Sequence, residues 1–298
     1  TIMPVSIGVI GTKGGIGKTT IVANTGAILA DMGLRVLMID CDVQPSLSKY
    51  YPLSYRAPYG IVELLLKKDI EKEIGSTISK TIYPNLDIVL SNNISADVET
   101  QVSNLPDRAF LLRNKIFHPS YTYIQDHYDI VLIDTQGAVG PLLETAAFAS
   151  NCLFTPVMPE VLSAREFVTG TQELFRRLEY GAVMGIPMPQ LRAIIYAQDR
   201  SKDARLIASE IKAFFSNTLD DRRKLLTVTV PAAKAYKEAT TLRIPVHCHE
   251  RQHPGKMLPA SEVMHKIVYE IFPGIEQKQL RANFFENMSN LLPEEVRS

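Results

Sequence analysis

The sequence predicts an α/β protein built on a mostly parallel, twisted sheet with helices on both faces. Strand-like apolar runs alternate with helical patterns almost throughout the chain. Those runs are nearly continuous Val, Ile and Leu, as expected of strands covered by helices on both sides. Acidic residues and a glycine-rich loop fall at the carboxyl ends of the runs, where open sheets of this kind hold ligands.

Val5–Ile10 suits a buried strand. Thr19–Met32 places Ile21, Ala23, Ala27, Ile28 and Leu29 at helical spacing and stops at Gly33. Arg35–Ile39 is a short buried strand ending in Asp40-Cys41-Asp42, and Gly60–Lys68 is helical. Leu86–Leu90 is a strand, and Val98–Phe117 is mostly helix, interrupted near Pro106. Tyr128–Ile133 is a strand closed by Asp134, Pro141–Ala149 a helix, Cys152–Val157 a strand and Glu160–Tyr180 a long helix. Leu191–Tyr196, Ala204–Phe215, Leu225–Val230 and Ala232–Thr241 continue the alternation. No repeat or low-complexity linker divides the chain, so one domain is expected over 1–254, with 255–298 a helical extension of it.

With 298 residues, 46% hydrophobic and 21% charged, the composition is that of an ordinary folded cytoplasmic protein. The formal net charge is zero, so any binding to nucleic acid or an anionic membrane must come from a local patch. No apolar run approaches 18 residues, and the start lacks a basic, signal-like segment. Thr1 and Ile2 precede Met3, and a native start at Met3 is the expectation. Cys41, Cys152 and Cys248 are widely spaced without a C-x-x-C, which favours reduced thiols and gives no iron–sulfur ligand set.

The most informative stretch is Gly-Thr-Lys-Gly-Gly-Ile-Gly-Lys-Thr-Thr at 11–20, directly between a strand and a helix. Gly14, Gly15 and Gly17 let the backbone wrap phosphates with its N–H groups inward, and the helix amino end adds partial positive charge. Lys18 can reach the β- and γ-phosphates, and the Thr19 hydroxyl can ligate Mg²⁺. Gly14, Gly15, Ile16, Gly17, Lys18, Thr19 and Thr20 therefore form the predicted nucleotide contact, that of a P-loop NTPase. Thr12 stands where the strict pattern has its first glycine, and Lys13 adds a second lysine inside the loop.

Hydrolysis also needs a Mg²⁺-side carboxylate and a group that positions water. Asp134 ends an apolar strand and is favoured for the metal role over helix capping. Asp40 and Asp42, two apart, could both face the phosphates if the chain stays extended, with Asp42 favoured for function.

Lys13–Thr20 resembles the deviant phosphate loop of the ParA/MinD group of ATPases. Asp40-Cys-Asp-Val-Gln-Pro45 resembles that group's acidic switch segment. Tyr128–Thr135, followed by Phe154–Glu160, resembles its second acidic motif and the strand after it, and Val230-Pro231 through Ile244-Pro245-Val246 matches the ParA segment that closes over the base. The resemblance runs from about Val5 to Val246 and is nearest to ParA (Soj-like) partition proteins, particularly variants on integrating mobile elements.

This resemblance implies an ATP-sandwich homodimer. Lys13 would reach the partner's phosphates in trans, Lys18 would hold its own, and Thr19 would bind Mg²⁺. Asp134, with Asp40 beside it, would hold that ion through water, and Asp42 would orient or activate the attacking water. Gln198 and Pro231 would flank adenine. ATP, Mg²⁺, non-specific DNA, a ParB-like stimulating adaptor and a cytoplasmic, nucleoid-associated location follow from the same resemblance. A MinD-like membrane-surface ATPase and a biosynthetic ligase (an amide synthase) of the same fold are the alternatives.

The chain departs from the family at Val43, at Gln136-Gly137 and at Pro231-Ala-Ala-Lys-Ala235, where the arginines tied to DNA contact are absent and Lys234 and Lys237 remain. Arg222-Arg223-Lys224 could join Arg176-Arg177 and Lys234 in a basic stripe or be a solvated turn. His247-Cys248-His249 with His253 invites a metal reading, but Pro254 and the lack of a second nearby cysteine set it aside. Leu280, Phe284, Phe285, Met288, Leu291 and Leu292 form a helical stripe in the tail. Its mixed-charge polar face favours docking on protein over a membrane.

Overall fold

Apolar residues along β1 (Val5–Val9) feed the sheet, and α1 (Lys18–Asp31) and β2 (Val36–Cys41) follow the glycine-rich loop. The structure, a computed structural model, describes residues 3–11, 17–92, 95–137, 139–217 and 221–272. β3 (Leu53–Tyr55), α2 (Ile61–Leu66), β4 (Ile78–Thr81) and β5 (Leu86–Val89) build one margin of the sheet. α3 (Ala96–Ser103), α4 (Leu111–Phe117) and α5 (Tyr123–His127) lead back to β6 (Ile130–Thr135). Strand and helix then alternate through α6 (Pro141–Phe148), β7 (Cys152–Val157), α7 (Val161–Val183), β8 (Gln190–Ile195), α8 (Lys202–Ser216) and β9 (Arg223–Leu225). Three helices close the described chain: α9 (Lys234–Leu242), α10 (Val246–His249) and α11 (Ala260–Ile271).

The strand order is β3-β4-β5-β2-β6-β1-β7-β8-β9. Every pairing is parallel except β3–β4 and β4–β5. β1 lies between β6 and β7, so the loop leaving it opens at the middle of the sheet, where doubly wound folds bind ligands.

Side chains alternate across the sheet with the two-residue strand period. Val36 and Met38 of β2, with Ile130 and Leu132 of β6, pack toward α1, α9, α10 and α11. Leu37, Ile39, Val131 and Ile133 pack on the opposite face with α2, α4 and α6, while Leu153, Leu191 and Ala193 meet α7 and α8. Full burial of each such Val, Leu, Ile or Met side chain contributes about 1.5–3 kcal/mol. The same alternation puts Asp40 and Asp134 on the α1 face.

The structure adds to the sequence reading at several points. β2 and β6 run through Cys41 and Thr135, so Asp40 and Asp134 lie inside strands rather than just beyond them. The antiparallel β3 and β4 are too short and too polar to show a strand period. The expected strand Leu225–Val230 is instead β9 over Arg223–Leu225. Glu270 of α11 explains the early stop: its carboxylate accepts the N–H groups of Thr227 and Val228, both at 2.9 Å, and the Thr227 hydroxyl at 2.6 Å. The tail stripe lies outside the described residues. Among the described residues, no helix is long and apolar enough to cross a membrane.

Candidate nucleotide site

Gly17 ends the glycine-rich loop as the N-cap of α1. A Cβ there would stand 3.1 Å from the Pro156 ring and 3.2 Å from the Tyr196 ring, so only glycine fits this close approach to β7 without displacing a neighbour. Lys13, Gly14, Gly15 and Ile16 lie outside the described residues. Gly17 through Thr20 are described and sit where the sequence placed them, at the first turn of α1.

Lys18 is only 2% exposed, and its ammonium lies 3.5 Å from the Gly11 carbonyl. Burial lowers its pKa, while the charges of Asp134 and Asp42 oppose that shift. A desolvated ammonium at a helix amino end is a ready counter-charge for phosphate. The Thr19 hydroxyl donates to Asp134 Oδ2 at 2.7 Å. Thr20 sits against the hydroxyls of Tyr50 and Tyr196.

β2 and β6 bring the two inner acids together, since Asp40 and Asp134 are direct register partners. Both are almost completely buried. Burial pushes the Asp40 carboxyl up to about 7, opposed by its hydrogen bonds from Ser48 and reinforced by Asp134. Burial likewise pushes Asp134 up to about 6, opposed by Thr19 and Lys18. Each keeps one oxygen, Asp40 Oδ1 and Asp134 Oδ1, buried without a hydrogen-bond partner. Unpartnered carboxylate oxygens beside a threonine hydroxyl are the donor set that hydrated Mg²⁺ accepts, so these residues fit that ion.

Asp42 does not extend beside Asp40. The chain turns after Cys41, and Asp42 Oδ1 accepts the Gln44 N–H at 3.0 Å, an Asx-type turn. Half-buried, Asp42 still acts electrostatically on Lys18, Asp40 and Asp134, so it borders the same site.

Gln198 and Pro231, far apart in sequence, form a parallel bridge. The Gln198 N–H donates to Val230 at 3.1 Å, and its carbonyl accepts the Ala232 N–H at 3.1 Å. Both line a cleft with Arg200, Arg205 and Lys256.

The basic residues divide between faces. The Arg223 guanidinium lies over the Phe175 ring at 4.5 Å, so β9 meets α7, the helix that also carries Arg176 and Arg177. Arg176 and Arg177 both pair with Glu173, at 2.8 and 3.2 Å. Lys234 belongs to α9, whose buried face packs in the α1 layer, and so does not share the α7 face.

The histidine cluster also separates. His247 Nε2 meets Asp31 Oδ2 at 2.9 Å in full burial, tying α10 to the end of α1. His249 pairs with Glu238 at 2.9 Å, and His253 Nδ1 accepts the Gly255 N–H. Asp31, His247 and Cys248 group their potential ligand atoms within 4.8 Å, a trio the linear spacing does not reveal.

Ser48 and Ser91 went unread in the sequence. Ser48 Oγ and N–H donate to Asp40 Oδ2, and Ser91 Oγ donates to the Asp42 carbonyl. Ser48, six residues beyond Asp42, could have been noticed as a nearby hydroxyl; Ser91 carried no signal.

A strand, a glycine-rich loop with a buried lysine, and paired strand aspartates define a P-loop NTPase. Comparison with known proteins narrows the class. A profile of the AAA domain family matches residues 5–180, so the chain belongs to that family, and it is of the ParA type. It is 32% identical to the cell division protein PomZ of Myxococcus xanthus over 51% of this chain and 45% of that protein. It is 25% identical to the chromosome-partitioning ATPase Soj of Treponema pallidum over 82% of this chain and 89% of that protein. Its fold is similar to that of a Cyanothece McdA variant in complex with ATP, with TM-score 0.67 and 17% identity over 92% of this chain and 95% of that one. The chain thus spans under half of PomZ and most of Soj.

Proposed function

We propose that this chain is an ATP-hydrolysing partition ATPase that binds ATP with Mg²⁺, pairs as a nucleotide-sandwich dimer and positions DNA. The observation that carries this reading is the Thr19–Asp134 hydrogen bond, beside a buried Lys18 and two carboxylate oxygens without partners. The partition role follows the names of its relatives, a chromosome-partitioning ATPase and a cell division protein.

Lys18 would hold the β- and γ-phosphates together with the loop N–H groups of 14–17. Thr19 would ligate Mg²⁺, with Asp134 and Asp40 holding its water shell. Bound Mg²⁺ neutralises charge on the phosphate oxygens. Asp42 would orient the attacking water from the rim of the site. Lys13 would cross to the partner's nucleotide and supply its charge only in the assembled dimer, as an arginine finger does. Gln198 and Pro231 would border the base. Residues 255–298 would extend the same domain.

Duplex DNA would be bound without sequence preference, through basic groups such as Arg222 and Lys224 beside α7, and an adaptor would stimulate turnover. DNA affinity held by phosphate contacts should fall steeply with salt.

The test combines ATP turnover, with and without non-specific duplex DNA, and sizing of the chain in each nucleotide state. ATP-dependent dimerisation with DNA-stimulated turnover supports the reading. A Lys13→Ala chain should bind ATP yet hydrolyse it poorly. Wild-type turnover by that variant in monomeric form would defeat the dimer reading.

A further inference from the structure

We propose that Ser48 and Ser91 are positioning residues of the nucleotide site, locking the Asp42 peptide to Asp40 so that the water-orienting carboxylate keeps one placement. The inference rests on the ATPase reading above and assigns work to two hydroxyls outside the phosphate loop.

The hydrogen bonds form a closed circuit. Ser48 donates twice to Asp40 Oδ2, from its N–H at 2.9 Å and its hydroxyl at 2.6 Å. The Ser48 oxygen accepts the Ser91 N–H at 2.8 Å. The Ser91 hydroxyl then donates to the Asp42 carbonyl at 2.6 Å. Through Cys41, whose strand position is fixed by pairing to Thr135, the circuit returns to Asp40. The Ser48 hydroxyl both donates and accepts, which leaves it little rotational freedom, and Ser91 is held to it by its N–H and to Asp42 by its hydroxyl.

The far side of this circuit is anchored rigidly. Ser91 lies between Leu90, whose carbonyl accepts the Ile61 N–H at 2.8 Å, and Asn92. Asn92 accepts the Val62 N–H at 3.2 Å and donates to Glu63 at 2.7 Å, while Glu63 also accepts the Gly60 N–H at 3.0 Å. A Cβ at Gly60 would stand 2.5 Å from the Leu90 carbonyl oxygen and 2.4 Å from Asn92 Oδ1, so only glycine permits this joint. The start of α2 thus holds the end of β5, and the end of β5 holds the turn that carries Asp42.

That turn otherwise has weak local support. Its Asx-type bond to Gln44 is exposed, and Val43 and Gln44 are exposed as well. Freed of Ser91, the Asp42 peptide could rotate, and its carboxylate would move relative to Lys18 and Asp134, on whose charges it acts. Displacement of a reacting group by about 1 Å can cost about 100-fold in rate.

The test uses Ser91→Ala and Ser48→Ala with the conservative Ser91→Thr and Ser48→Thr, all in the full chain. Three quantities are read: kcat and KM for ATP, affinity for a fluorescent ATP analogue, and amide hydrogen exchange of the nucleotide-free chain. The expected result is a kcat lowered about 10–100-fold, with KM and analogue affinity within about threefold. The threonine variants should restore most of the rate. Amides of 42–48 should exchange faster in Ser91→Ala while those of α1 and β6 stay unchanged. An unchanged kcat in Ser91→Ala overturns the inference. So does a joint fall of kcat, analogue affinity and α1 protection without rescue by threonine, because general loosening would then explain it. If the wild-type chain neither binds nor hydrolyses ATP, the ATPase reading fails instead. The exchange pattern still decides whether the circuit fixes the turn.

Discussion

The Thr19 hydroxyl donates to Asp134 at 2.7 Å, joining the first turn of α1 to the end of β6 across 115 residues of chain. This contact occupies one Asp134 oxygen and leaves the other buried and without a partner, facing a site that also lacks a full partner for Asp40. Removing the charge should therefore separate folding from function. Asp134→Asn should melt within a few degrees of wild type in the metal-free chain, since it removes a costly buried carboxylate. Its Mg²⁺-dependent ATP turnover should drop about 100-fold or more. Calorimetry beside a phosphate-release assay checks both halves, and retained turnover would remove Asp134 from the ion's shell.

The same two carboxyls predict a pH dependence. Asp40 is raised to about 7 and Asp134 to about 6, both above their ordinary value of 3.8. The native state therefore binds more protons than the unfolded state in this interval. Their contribution to stability is present in full below about pH 4 and is lost as pH rises through 6 and 7. The metal-free chain should lose on the order of 4 kcal/mol between pH 5 and 8 from this source. Added Mg²⁺ with nucleotide should flatten the slope, and so should the Asp40→Asn, Asp134→Asn double variant. Urea melts across that range measure it; a slope unchanged in the double variant would place its origin elsewhere.

Lys18 is almost completely buried, its ammonium 3.5 Å from the Gly11 carbonyl, and the charges of Asp134 and Asp42 offset only part of the cost of that burial. Lys18→Met should therefore keep or raise the melting temperature of the nucleotide-free chain, because the desolvation cost disappears. Affinity for ATP should fall about 100-fold, the loss of a charge-assisted contact. Titration with a fluorescent analogue reads the second effect directly.

Far from the phosphates, His247 and Asp31 meet at 2.9 Å with neither side chain exposed. His247→Ala leaves Asp31 buried opposite a cavity and should cost about 3–5 kcal/mol. Asp31→Asn together with His247→Gln should cost less than the two single changes summed. Denaturant melts of the four-member cycle give the coupling, and strict additivity would show that the pair contributes no specific interaction.

The helix that opens at Lys18 and the strand bearing Asp134 were legible in the sequence because each has a strong local cause. Helical spacing marks α1, and continuous Val, Ile and Leu mark a strand covered on both faces. The Gln198–Pro231 bridge was not legible, since a pairing between residues so far apart in the chain leaves no local pattern; the resemblance implied only that both would flank adenine. Asp42 was identified, but its turn away from Asp40 was not, because an Asx-type turn and an extended strand share the same residues until hydrogen bonds choose between them. Ser48 and Ser91 were invisible for a similar reason: a serine's partner is set by tertiary placement, and Ser91 arrives from β5. β9 ended early because Glu270, far along the chain, claims the amides a longer strand would have used.

That carboxylate has a further consequence for how the chain tolerates shortening. β9 is the last strand of the sheet, and Glu270 stoppers the two donors just past it. A protein ending at residue 254 would present Thr227 and Val228 as a bare lip of donors next to an unguarded border, an invitation to strand-by-strand stacking with other copies. The helix that supplies Glu270 thereby closes those donors as well as adding a layer of packing.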